Sequence, residues 1–404
     1  MINLDTGNTA FMLVATSLVM LMTPGLAFFY GGLVGRKNVL TIMLQSFMSM
    51  GWTTLLWFLV GYSLCFSGDI GGVIGNLNQA FLRGVDVGAM HQNGFPIMVF
   101  VAYQMMFAII TPALITGAFA NRINFKSYTI FLTVWLLFVY FPICHMAWGP
   151  NGLFQQWGVL DFAGGTVVHA TAGFAALASV LFIGKRKKTD DKPHNIPLVA
   201  LGTGLLWFGW YGFNAGSELA ADQITALAFL NTDIAASIAA VTWLFLAWTL
   251  EKKPKFVGLL TGSVAGLVAI TPAAGFVTPQ SAFLIGVISA TVCYFAVMLK
   301  NKLKFDDALD VWGVHGVGGV VGCLLLGVFA TLQVNQHGAD GLLAGNPIFF
   351  FKEMAVVFGV ALYAFLFSYA SLWLINKITP VRASEEEEDL GLDLALHGEA
   401  AYEE

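Results

Sequence analysis

Apolar residues run along the chain in blocks of about twenty, the length at which a helix rising 1.5 Å per residue crosses ~30 Å of hydrocarbon. Short polar or glycine-rich breaks separate the blocks, and the pattern predicts eleven membrane spans. They fall at 9–34, 40–63, 97–121, 127–147, 161–184, 196–218, 232–250, 256–276, 280–299, 307–332 and 350–377. The connections alternate in charge. Arg36 with Lys37, Arg122 with Lys126, Lys185 to Lys192, Lys252 to Lys255, Lys300 to Lys304, and Lys377 with Arg382 all fall on one side. Of the 19 Lys and Arg residues, only Arg83 and Lys352 fall on the other. Positive connections stay in the cytoplasm, which puts the N-terminus outside and the C-terminus inside a cell membrane. The opening Met-Ile-Asn-Leu-Asp lacks the basic region and cleavage site of a signal peptide, so the first block is expected to remain as a span.

Two short stretches look like copies of each other. The first is Asp161-Phe-Ala-Gly-Gly-Thr-Val-Val-His169; the second is Asp307-Ala-Leu-Asp310-Val-Trp-Gly-Val-His315. In each a carboxylate precedes a histidine by eight residues, which on a helix places both on one face, about 12 Å apart. They lie in spans five and ten. Five is odd, so two such blocks in tandem enter the membrane in opposite directions, the arrangement of inverted-repeat transporters with a site near the midplane. The expected fold is therefore an all-α membrane protein of eleven helices, with spans one to five and six to ten as inverted repeats and an eleventh as a brace. Small residues four apart, such as Gly258, Gly262 and Gly266, suit closely packed membrane helices.

Composition narrows the function. Hydrophobic residues make up 57% and charged residues 11% of the chain, against roughly 25% charged in a soluble domain. Nothing basic enough for nucleic acid is present, and membrane lipid is the expected surroundings. Cys65, Cys144, Cys293 and Cys323 show no C-x-x-C spacing and read as packing thiols. An ionisable side chain inside a span is costly and so points to function. His169 and His315 suit metal ligation, a proton relay, or the lining of a narrow conduit. No matching Cys/Glu set accompanies them for a metal, and no Ser stands on a nucleophile turn, so the sequence predicts no metal, no cofactor and no enzyme. Lining a conduit fits best.

Asp161 and Asp307 suit two roles, drawing in a cation or capping a helix, and capping weighs more. A second group is aromatic. Tyr103 and Phe107 stand four apart, while Trp210, Phe213 and Ser217 share a face of span six, and Trp148 closes span four. Ring faces attract a small cation, and a hydroxyl such as Ser217 can accept an N–H. Any one of these alone would read as a packing stripe, but the span directions bring Trp148, Ser217 and Tyr103 to one external vestibule.

These residues sit in motifs that resemble the ammonium transporter (Amt/Mep/Rh) family, in its bacterial and archaeal Amt branch. The motifs are Thr23-Pro-Gly-Leu-Ala-Phe-Phe-Tyr-Gly-Gly32, the Asp161 to His169 stretch, Gly209-Trp-Tyr-Gly-Phe-Asn-Ala-Gly-Ser217, and Asp310-Val-Trp-Gly-Val-His-Gly316. The resemblance covers essentially the whole chain. It implies a homotrimer with one pore per subunit, with ammonium or ammonia as the transported species. By position, Trp148, Ser217 and an aromatic at 103 would recruit ammonium, Phe107 and Phe213 would form a gate, and His169 and His315 would pair inside the pore. Asp161 would support recruitment and deprotonation, with Asp307 as its repeat counterpart; Asp310 and Trp210 lie in the same motifs. Tyr103 departs from the family, where that position is often Phe. The alternative within the fold is an ammonium sensor with little transport.

Residues 381–404 read as a separate cytoplasmic tail beside the transport unit of residues 1–380. The run Ser384-Glu-Glu-Glu-Glu-Asp389 is of a kind that is usually solvated and disordered. Beyond it Gly391, Asp393, His397, Gly398, Glu399 and Tyr402 match the family's C-terminal motif. That resemblance implies ordered packing below the pore and regulation by a PII-type signal protein.

Overall fold

The computed structural model describes residues 2–187 and 192–402, so part of the positive connection from Lys185 to Lys192 lies outside the described residues. Among the described residues the fold is helical with no strand. Ten helices among these residues are long and apolar enough to cross a membrane: Thr6–Leu33, Arg36–Phe66, Ile97–Ala118, Phe125–Gln156, Gly165–Ile183, Ile196–Glu218, Gln223–Glu251, Pro279–Leu303, Trp312–Phe329 and Pro347–Ile378. The shorter Phe256–Ile270 completes eleven in chain order, as span eight.

Local chemistry sets the helix starts. Asp5, Asp222, Thr278 and Asn346 each accept a backbone N–H from the first turn of spans one, seven, nine and eleven. Pro279 and Pro347 stand at the first position, where no N–H is needed. Several boundaries differ from the sequence reading. Span seven starts at Gln223, not 232, because its polar residues find partners: buried Asn231 donates to the Ala274 and Val277 carbonyls. Those two carbonyls belong to the turn that ends span eight early, at Ile270, just before Pro272. Spans five and ten begin at Gly165 and Trp312, after their aspartates and not at them.

The repeats cross through backbone contact. Spans one and six meet so closely that a Cβ on Gly202 would lie 2.2 Å from the Phe29 nitrogen. At the centre, a Cβ on Gly173 would lie 2.1 Å from the Gly316 backbone, and one on Gly319 would lie 2.9 Å from the Ala170 nitrogen. Counted from each histidine, these are the same two contacts: the residue four after one histidine meets the residue just after the other. The pseudo-twofold axis therefore runs between His169 and His315, and only residues without a side chain permit that approach.

The end of the bundle that carries the basic connections is knotted by charge. Asp306 accepts from Arg122 at 3.2 Å, and from the Arg186 backbone N–H, Nε and Nη2 at 2.8, 2.8 and 2.6 Å. Burial alone would raise the Asp306 carboxyl, but the Arg186 bonds and the Arg122 charge outweigh it and hold the group at about 2, below its ordinary 3.8. The Arg122 side chain is 0% exposed, so removing its counter-charge strands a buried cation. Asp306→Ala should cost about 3–5 kcal/mol, read as a lower melting temperature of the detergent-solubilised protein. A depressed carboxyl contributes in full above 3.8, and the contribution fades as pH falls from there through 2. The wild type should lose that part of its stability across the window, and Asp306→Ala should have none of it to lose.

The acidic run is largely exposed, as expected of a charge run, but it is helical and not disordered. Ser384 and Glu387 close a capping box over a helix at Glu385–Leu390, and Glu388 takes two bonds from Arg382, at 2.5 and 2.9 Å. Beyond Gly391, which holds a φ of 100°, Asp393 caps span two, accepting from the Leu40 and Thr41 backbones at 2.9 and 2.7 Å. Tyr402 lies under Arg36, 5.1 Å from guanidinium to ring centre, and its hydroxyl meets His194 Nε2 at 2.9 Å. His397 packs edge-on against Phe125, 5.4 Å between ring centres, and Gly398 turns the chain with a φ of 67°. Glu399 joins Asp393 in lining a 530 Å³ cleft between the tail and the basic connections.

Candidate functional site

The site is built on two matching turns. The Asp161 Oδ1 accepts from the Gly164 and Gly165 N–H groups at 2.8 and 2.6 Å; its Oδ2 accepts from Thr166 and Val167 at 2.8 and 3.0 Å. Gly164 takes a φ of 117°, where a Cβ would press on Val168. Asp307 does the same at the other end, accepting from Val311 and Trp312 at 3.1 and 2.7 Å. The sequence expectation of Asp and His along one helical face is therefore corrected. Each aspartate lies before the helix because its carboxylate satisfies the N–H groups that the first turn leaves free. Each histidine then follows in a π-helical turn, Gly165–Ala170 or Trp312–Gly316. Such turns re-aim a side chain without ending the helix, and they recur at functional sites.

At the end away from the basic connections, aromatic rings converge. Trp148 donates its indole N–H to the Asp161 carbonyl at 2.8 Å and stands 5.8 Å from Phe107, edge to face. Ser217 donates to the Phe213 carbonyl at 2.9 Å, which leaves its oxygen lone pairs as acceptors. Phe107 and Phe213 lie with ring centres 4.3 Å apart and block the way inward. Tyr103 is wholly buried beside Phe107, its hydroxyl within 2.9 to 3.2 Å of the Gly212 and Phe213 carbonyls and Ser217 Oγ.

Below the rings, His169 and His315 meet Nδ1 to Nδ1 at 3.3 Å. One nitrogen of that pair must carry the proton and the other accept it, so the two Nε2 atoms are left unlike, one a donor and one an acceptor. His169 Nε2 has no hydrogen-bond partner among the described residues. Trp210 stacks on His169 at 5.4 Å and is held by its indole N–H bond to Thr271 at 2.9 Å. The cavity here is apolar, lined by Met22, Leu26, Ile110, Leu114, Leu206 and Val264 among others, and measures only 10 Å³. A single water needs about 10–15 Å³, so a hydrated ion has no room. On the far side a 190 Å³ vestibule reaches His315 and holds Asp310, which is bonded to Lys300 at 2.5 Å.

Known proteins carry the same architecture. The Ammonium Transporter Family matches residues 10–402. An ammonium transporter of Aquifex aeolicus is 48% identical over 401 residues, which span 99% of this chain and 94% of that protein. The chain belongs to the ammonium transporter family. Among solved structures, Mep2 of Saccharomyces cerevisiae superposes with a TM-score of 0.91 at 35% identity, over 100% of this chain and 92% of that one. A structure described as a sensor Amt protein superposes at 0.85 with 30% identity, over 97% and 98%. As a member of this family the protein is a multi-pass membrane transporter and not an enzyme.

The structure brings Trp148, Ser217, Tyr103, Phe107 and Phe213 into one cluster and places His169, His315 and Trp210 directly beneath it. Asp161 lies behind Trp148; Asp307 and Asp310 lie at the opposite mouth, and the tail residues lie outside the conduit. In this ammonium transporter family member the Tyr103 hydroxyl is turned to the Gly212 and Phe213 carbonyls and to Ser217 Oγ, inside the packing. Tyr103→Phe should therefore change the half-saturating ammonium concentration by less than about threefold while lowering stability by about 1 kcal/mol, measured by flux titration and thermal melt. Sequence reasoning missed Thr271 and Lys300. A hydroxyl just before Pro272 and a lysine near the end of an apolar span were the available signals.

Proposed function

We propose that the protein recruits ammonium between Trp148 and Ser217 and passes neutral ammonia along the histidine pair. The observation that carries this reading is the His169–His315 contact in a narrow apolar cavity beneath the closely packed, tilted rings of Phe107 and Phe213. Ammonium attracted to the ring faces can donate to Ser217 Oγ. Going further as a bare ion costs several kcal/mol or more in an apolar passage, which potassium cannot avoid and ammonium can avoid by losing its proton. Ammonia then meets one donor and one acceptor Nε2. The proton goes either to the external solution or separately along the histidines, and only the second route moves charge.

On this reading the N-terminus and Trp148 face outward in a cell membrane, and the tail of residues 381–404 lies in the cytoplasm. The assembly is a homotrimer, and the docked tail is the place where a PII-type protein would act. The test is current from proteoliposomes on a solid-supported membrane, pulsed with ammonium and then potassium. Current with ammonium alone supports charge-moving transport; a lumenal pH change without current supports electroneutral ammonia passage. A second reading, sensing with little transport, is favoured by the likeness to the sensor Amt structure, and binding without current or pH change would select it.

A further inference from the structure

Span eleven lies outside the repeats, yet it carries a carboxyl in the middle of the packing. Glu353 is 0% exposed. Its Oε1 accepts the Leu160 N–H at 2.7 Å, and its Oε2 has no hydrogen-bond partner among the described residues. One turn on, Val357 packs against Ala170, Val320 and Cys323 of spans five and ten, so this face of span eleven is fixed against both repeats. A buried carboxyl is too costly to be filler. What it holds is the link between spans four and five at the residue before Asp161.

That link is gripped at successive residues. Leu160 is held by Glu353, the Asp161 carbonyl takes the Trp148 indole N–H at 2.8 Å, and the Phe162 N–H donates to the Pro272 carbonyl at 3.1 Å. Span eleven adds a further hold through Lys352, whose Nζ donates to the Trp157 carbonyl at 2.8 Å. The Asp161 carbonyl and the Phe162 N–H belong to one peptide unit, tied to Trp148 and Pro272, and Glu353 fixes the chain two peptide units earlier, so it constrains the path that presents this carbonyl to the Trp148 ring. We propose that Glu353 is a positioning residue for ammonium recruitment, through which span eleven sets the Trp148 ring. The inference rests on the recruitment reading of Trp148. The acceptor oxygen does this, not the charge, since no donor among the described residues meets Oε2.

The test is ammonium flux into proteoliposomes as a function of concentration, for wild type, Glu353→Gln, Glu353→Leu, Lys352→Met and Trp148→Leu. The Gln variant keeps an acceptor for Leu160 and should hold the half-saturating concentration within about twofold. Glu353→Leu leaves a buried N–H unpaired and should raise it roughly five- to tenfold, with the maximal rate changed far less. Lys352→Met loosens the same link from the surface and should raise it about twofold; it keeps the test standing where the Leu variant does not fold. Unchanged half-saturation in both Glu353→Leu and Lys352→Met overturns the inference, and so does a Gln variant as impaired as Leu, which would mean that the charge acts. If Trp148→Leu leaves half-saturation unchanged, the recruitment reading itself falls; if it alone raises the value, only the role of Glu353 falls.

Discussion

Asp161→Ala should abolish ammonium transport and at the same time destroy the folded protein as judged by gel filtration and thermal melting. The reason lies in the count of donors on its two oxygens: four backbone N–H groups, all at 3.0 Å or less. A hydrogen bond to a charged group contributes about 1.5–3 kcal/mol. Losing four at once approaches the whole stability of a domain, about 5–15 kcal/mol. Water can repay part of this where the turn reaches solvent, and the Trp148 tie through the Asp161 carbonyl survives in principle. The turn that presents His169 does not, because its first N–H groups would be left without acceptors. Asp161→Asn keeps one acceptor oxygen but turns an amide N–H₂ toward two N–H groups, so it should fall between. If Asp161→Ala instead melts as the wild type does and loses only transport, the carboxylate acts on ammonium and the capping account is wrong.

That capping role shows where sequence reading stopped. The spans were legible because membrane crossing imposes a length and an apolar content, and the basic residues sort to one side by a rule that needs no structure. The repeat was legible through the two Asp…His stretches. Their geometry was not, because eight-residue spacing reads as a helical face until the N–H inventory of the first turn is drawn up. The acidic tail run hid a helix for a similar reason: Ser384 and Glu387 form a capping box, a local pattern that overrides the average behaviour of charge runs. Glu353 was visible as a carboxylate within an apolar block. Its meaning depended on Leu160, 193 residues away, and a contact of that separation leaves no trace in local pattern. The aromatic cluster sits between these cases. Its members were found one helix face at a time, while the 4.3 Å closure of Phe107 on Phe213 belongs to the packing of spans three and six.

His169→Leu and His169→Ala should fail in different ways, and the contrast tests the dry conduit more sharply than either alone. Leucine fills much the same volume and stays apolar, so the passage remains closed to ions. It removes one of the two unlike Nε2 groups and leaves His315 without the Nδ1 partner it meets at 3.3 Å. An unpaired polar group in a dry site costs about 1–3 kcal/mol, and ammonia loses a comparable contact in passing. Ammonium-driven flux should fall roughly 10- to 100-fold, at about 1.4 kcal/mol for each factor of ten, with potassium still excluded. Alanine instead removes the ring that lies against Trp210 and Phe213, at 5.4 and 6.1 Å, and enlarges a cavity of only 10 Å³. A space of several water volumes beside the remaining imidazole can hydrate, and hydration removes the penalty that stops a bare ion. Potassium-evoked current should then appear in His169→Ala where the wild type and His169→Leu show none. Potassium current in the leucine variant would mean that the histidine itself, and not the dryness of the passage, excludes ions.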